Sequence, residues 1–161
     1  MSTSRAVSAL LLISALLLIS LAPGGPIETR DFSHIPAVVL GLFNVFLTVL
    51  GLGSLLLAWL VFKQRCRWYW PLLAGTGYFL VYGLDLLGIF PVSPTPMNQA
   101  LWSIEVAGMI VALPLITLAG FSLQLGEGDR FQEQTPLAAW LGAGLVGLAI
   151  VAFTTMAAMG G

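Results

Sequence analysis

Five apolar stretches, at about residues 6–22, 35–62, 71–90, 101–123 and 137–158, run through this chain of 161 residues. Each is near the ~17–25 residues that an α-helix needs to cross the hydrocarbon core of a bilayer. The longest connection between them has about 13 residues, too few for an extramembrane domain with its own core. The expected fold is all-α: a polytopic integral membrane helix bundle with five transmembrane helices. Residues 35–161 make a four-helix membrane domain and residues 23–34 a short outer loop. Residues 1–22 are either a first transmembrane helix or a secretory signal peptide.

Composition excludes the main soluble classes. Hydrophobic residues make up 58% of the chain and charged ones 8%, against roughly a quarter charged in soluble domains. A net charge of −1 offers no basic surface for nucleic acid. Cys66 is the one cysteine, so no intrachain disulfide can form. His34 is the one histidine, which leaves a His-rich metal or haem site without ligands from a single chain. No Ser/His/Asp set or Cys-x-x-Cys occurs, and Gly75-Thr76-Gly77 lies inside an apolar stretch without a P-loop lysine. The expectation is a non-enzymatic protein with no cofactor, no metal ligands and no catalytic residues.

The loops divide by charge. Arg5 precedes the first stretch, Lys63, Arg65 and Arg67 follow the second, and Arg130 follows the fourth, while Arg30 alone lies on the alternate side. The positive-inside rule puts the N-terminus in the cytoplasm and the C-terminus outside. Trp59, Phe62, Trp68, Tyr69 and Trp70 bracket the basic loop, Trp140 opens the last stretch, and Phe90 and Trp102 flank the outer loop, as interfacial aromatics do. Thr95-Pro96 and Thr135-Pro136 each read as a capping hydroxyl before a first-turn proline, and Pro71 also falls in a first turn. The 35–62 stretch would measure ~42 Å as a helix against a ~30 Å core, so it must tilt or lie partly along the surface. Arg5 ahead of a leucine-rich run ending at Ala22 has the outline of a signal peptide, although the run is long for one and Pro23 would follow the cut. With its short N-terminus and lean loops, the chain suits a bacterial cytoplasmic membrane.

Two carboxylates interrupt the apolar stretches. An Asp at mid-membrane costs roughly 2.5–3.5 kcal/mol on insertion scales, and each leucine returns only about 0.3–0.6. With the third helix running outward to residue 90, Asp85 lies ~8 Å below its outer end, and Glu105 lies at a similar depth in the fourth. Tyr78, Tyr82 and Asp85 share one helical stripe. Trp102, Glu105, Met109 and Ala112 form a second, and Gly41, Asn44, Thr48 and Gly51 a third. Facing one another, these stripes would enclose an outer-leaflet polar cavity holding Asn44, Tyr82, Asp85 and Glu105, with His34 over its mouth. Such a site can carry a proton, coordinate a cation or hold a cationic or hydroxylated ligand. On a purely structural reading, Asp85 accepts hydrogen bonds from Tyr82 or Asn44 and Glu105 reaches the outer water.

Lesser features complete the reading. Ala139, Ala143 and Gly147 have the small-xxx-small spacing of close helix approach. Cys66, between Arg65 and Arg67, is a candidate for redox chemistry or acylation, and the basic loop could meet anionic lipid head groups. The leading functional expectation is an accessory or assembly subunit of a membrane complex. Its partners would be the lipid bilayer and another membrane protein or a second copy of itself, with no nucleic acid. The alternative is a small proton, cation or solute transporter, or an outer-leaflet ligand-binding sensor, using Asp85 and Glu105. The inner halves of the helices are apolar apart mainly from Ser54 and Thr76, which gives a transporter no second half-pathway.

Overall fold

Long apolar runs divided by short, turn-forming loops leave the backbone one way to satisfy its hydrogen bonds in lipid, within each segment as a helix. The computed structural model describes residues 3–23, 25–126 and 137–158, the last with side chains over 146–157. It forms α1 (Thr3–Ser20), α2 (Ala37–Phe62), α3 (Tyr69–Leu86), α4 (Gln99–Gln124) and α5 (Leu137–Ala158), and no strand occurs among the described residues. Three of these, α1, α2 and α4, are long and apolar enough to cross a membrane, the mark of a membrane protein. The boundaries follow the apolar stretches closely, with two corrections.

The first is the end of α3. Gly88 adopts a φ of +64°, where a side chain would be strained. The Gly88 N–H donates to the Asp85 carbonyl (2.8 Å) and the Ile89 N–H to the Leu84 carbonyl (2.9 Å), which closes the helix in a Schellman turn. The helix therefore stops at Leu86 rather than at residue 90, and Asp85 sits in its last turn. The second correction is the start of α4. Asn98, whose Oδ1 accepts the Leu101 N–H at 2.8 Å, is the cap, not Thr95. The Thr95 hydroxyl is engaged upstream with that of Ser93 at 2.9 Å. Pro71 does lie in the first turn of α3. Arg130, Thr135-Pro136 and the side chains of Ala139, Trp140 and Ala143 lie outside the described residues.

Helices in lipid gain no hydrophobic drive from one another, so close packing and polar contacts hold them together. Consecutive helices run antiparallel. α1 lies against α2 and α4, α4 against α3 and α5 against α2, while α2 and α3 touch sparingly. Val7, Leu11 and Ala15 of α1 are fully buried, and the Ser8 hydroxyl donates to the Ala58 carbonyl at 2.7 Å, so α1 is part of the core. The buried face of α4 is Leu101, Glu105, Gly108, Ala112, Leu115, Ala119 and Ser122. Trp102 is 53% exposed and does not share that face, which corrects the second stripe by one position. The small residues explain the choice: the Tyr82 ring occupies the space that a Cβ on Gly108 would need.

The aromatic belt is also revised at one position. Trp59, Phe62 and Trp70 are exposed, but Trp68 is packed inside the bundle. Cys66 is buried too, its thiol donating to the Arg67 carbonyl at 3.4 Å, so the thiol does not present itself for redox chemistry or acylation.

Candidate functional site

The loop between α1 and α2 folds back over the end of the bundle because its residues find partners there. The Asn98 amide donates to the Ile27 carbonyl at 2.9 Å, and Phe32, Ile35 and Leu40 form a small apolar cluster. Arg30 stacks over Phe32, 5.2 Å from the ring centroid. These anchors place the Arg30 guanidinium beside the last turn of α3, with its side chain only 6% exposed.

There it is gripped on two edges. Nη1 and Nη2 donate to Asp85 Oδ1 and Oδ2, each at 2.7 Å. Nε and Nη2 donate to Glu28 Oε1 and Oε2 at 3.0 and 2.7 Å. Paired bidentate bonds of this kind are the strongest that arginine makes with carboxylates. Glu105 Oε1 stands 3.9 Å from Nη2, beside the Asp85 carboxyl. Three carboxyl groups thus lie around one guanidinium. Burial works against the charged Arg30, but its hydrogen bonds to Asp85 and Glu28, together with their charge, more than offset it and hold its pKa above the ordinary arginine value. Among the described residues no group of three or more His, Cys, Asp or Glu side chains is arranged to hold a metal ion.

Beneath the cluster lies a cavity of about 560 Å³. Glu28, Arg30, Asp85 and Glu105 form its polar end, and Leu18, Leu47, Val81, Ile150 and Phe153 are among its apolar walls. Its rim includes Ile19 of α1 and Val146 and Phe153 of α5, all at least half exposed on the side of the bundle. The mouth is therefore lateral, between helices. A smaller cavity of about 300 Å³ lies on the loop side of the same ion pair, lined by Arg30, Asp85, Ser93 and Trp102 among others. The Arg30–Asp85 pair is a shared wall of both.

Two of the residues lining the larger cavity carry a buried polar atom without a partner among the described residues: Glu105 Oε2 and the Tyr82 hydroxyl, in side chains that are 2% and 1% exposed. Buried polar groups are rarely left so, because an unmet one costs ~1–3 kcal/mol.

The residues singled out from the sequence divide clearly. Asn44, Tyr82, Asp85 and Glu105 line one cavity, and Tyr78 stacks on Tyr82 with centroids 6.2 Å apart. His34 is exposed and does not line it. The expected partners of Asp85 are replaced: Asn44 donates instead to Thr155 Oγ1 of α5 at 3.0 Å, and Arg30 takes the carboxylate. Glu105 is sealed from water rather than open to it. Sequence reasoning missed Glu28 and Arg30. The signal was present, since two costly carboxylates lay at one end of the bundle and Arg30 was the one cation assigned to that side.

Residues 3–134 match the family described as a domain of unknown function, DUF8051, and the chain belongs to that family. The match covers α1 to α4 and stops short of α5. No curated protein and no solved structure matches the chain.

Proposed function

We propose that this chain is a non-enzymatic, multi-pass protein of the bacterial cytoplasmic membrane that binds an amphiphilic molecule in its outer leaflet. In this reading all five helices span the bilayer, the N-terminus is inside and the C-terminus outside. The basic loop at Lys63–Arg67 and the opposite position of Arg30 support that orientation. α1 is retained, because Leu18, Ile19 and Leu21 line the cavity.

The observation that carries the reading is the cavity itself. At about 560 Å³ it falls inside the range of ~300–1,000 Å³ typical of ligand sites, which combine apolar walls with a few placed polar groups. Its polar end lies where lipid head groups would be, and its walls run along the acyl region. A carrier for protons or cations fits less well. Arg30 already occupies the space between the carboxylates, and the buried polar side chains described in the opposite half are uncharged hydroxyls such as Ser54 and Ser122, set among apolar residues such as Ala119 and Leu115.

The test is native mass spectrometry of the protein released from native nanodiscs, with a cavity-filling Leu47→Trp variant beside it. A non-covalent adduct of lipid-like mass on the wild type, lost in Leu47→Trp, is the expected result. A stoichiometric protein partner with no such adduct would return the chain to the role of accessory or assembly subunit.

A further inference from the structure

The polar end of the cavity is rich in acceptors and poor in available donors. The one guanidinium spends four of its five N–H donors on Glu28 and Asp85. An anionic head group, whether phosphate or carboxylate, would find one remaining N–H on Nη1 and would face the carboxylates of Glu28 and Asp85. The unmet groups point the opposite way. Glu105 Oε2 is a carboxyl oxygen without a partner among the described residues, and the Tyr82 hydroxyl can accept as well as donate. Both side chains are more than nine-tenths buried, and both residues line the cavity.

We infer that the cavity selects an amphiphile with a positively charged, hydrogen-bond-donating head, an amine, which Glu105 and Tyr82 receive while the apolar chain lies along Leu47, Val81 and Phe153. This rests on the amphiphile reading above and adds the chemistry of the head. An ammonium supplies the donors that the two buried atoms lack, and its charge offsets the excess of carboxylates over guanidinium. No other pair of unmet polar atoms among the described residues lines the same cavity.

Dodecylamine, dodecanol and dodecanoate, matched in chain length, separate head from tail. Each is titrated into the purified full chain in maltoside micelles, and occupancy is read by native mass spectrometry. On the wild type, dodecylamine is expected to bind at least about tenfold more tightly than dodecanoate, the scale of one charge-assisted hydrogen bond. Glu105→Gln should cut the advantage of the amine over the alcohol by about tenfold. Tyr82→Phe keeps the ring against Gly108 and should weaken both by a smaller factor.

Dodecanoate binding as tightly as dodecylamine, or a Glu105→Gln ratio equal to that of the wild type, would overturn the inference and leave the amphiphile reading standing. Binding of none of the three would overturn the amphiphile reading, and the inference with it. Should Glu105→Gln fail to fold, the amine-to-carboxylate ratio on the wild type decides alone.

Discussion

At the end of the bundle near residues 63–68, helices meet through small residues and apolar side chains. A Cβ added to Gly75 would stand 3.0 Å from Ile116 Cγ1, and one on Gly77 would stand 3.1 Å from Leu50 Cδ1. At the other end, under residues 21–36 and 87–98, the helices surround a cavity of about 560 Å³, although α3 and α4 still meet closely at Tyr82 and Gly108. There the chain is tied by the Glu28–Arg30–Asp85 bonds instead. The contrast shows how a small membrane protein can keep one end open. Where backbones cannot approach closely, van der Waals packing is lost, and a buried charge cluster brought in on a loop supplies the tie.

If that division is right, the two ends should fail in different ways. The largest loss is expected from Arg30→Met, which strands the carboxylates of Glu28 and Asp85 without their partner. About 3–5 kcal/mol is typical when one member of a buried pair is removed, and thermal unfolding in mild detergent would register it. Adding Asp85→Leu should recover part of the loss, since the uncompensated charge goes with it; a double variant weaker than Arg30→Met would mean that the ion pair is not the tie. At the packed end, Gly75→Val should cost about 1–3 kcal/mol through overpacking against Leu115 and Ile116. Gly41 at the open end has no heavy atom within 4 Å of an added Cβ, so Gly41→Ala should leave the unfolding midpoint unchanged or slightly raised. A drop equal to that of Gly75→Val would erase the distinction between the ends.

The smallest effect is in the loop that carries the cluster. Asp31 is held below the ordinary aspartate range by the backbone N–H of Ser33, 2.8 Å from Oδ1, and by its hydroxyl. A carboxylate with a depressed folded pKa contributes stability above its unfolded pKa and loses it as pH falls through the folded value. Protection of the Ser33 amide from hydrogen exchange should therefore decline only in acid below the usual aspartate range, with the Arg30 contacts intact. Loss at higher pH would show that Asp31 is not the acceptor.

Much of this architecture could be read from the chain in advance, and the misses have physical causes. The apolar runs set the five helices because in lipid the backbone has few alternatives. Asp85 and Glu105 stood out because each is costly in an apolar run, and Tyr82 and Asn44 followed from helical spacing. The stop at Gly88 was legible in principle, since glycine at a left-handed position commonly ends a helix, but the apolar residues after it masked the boundary. Trp102 and Leu101 are adjacent, and periodicity alone did not show that the small residues Gly108 and Ala112 favour the face of Leu101. Pairing of Asn44 with Thr155 joins elements remote in sequence, which no local pattern encodes. Arg30 is the instructive case: its role as a topology signal and its role as counter-ion are both electrostatic, and only the folded loop shows that the second applies.

Photocrosslinking in native membranes tests the central claim most directly. A diazirine-bearing alkylamine would be activated in vesicles that contain the full chain, and the labelled positions read by peptide mass spectrometry. The account requires labels concentrated on the cavity wall, at Leu47, Val81, Ile150 and Phe153, and lost in Leu47→Trp. Labels spread evenly over exposed apolar positions such as Val38, Val49, Ile110 and Phe121, and unchanged by Leu47→Trp, would contradict it.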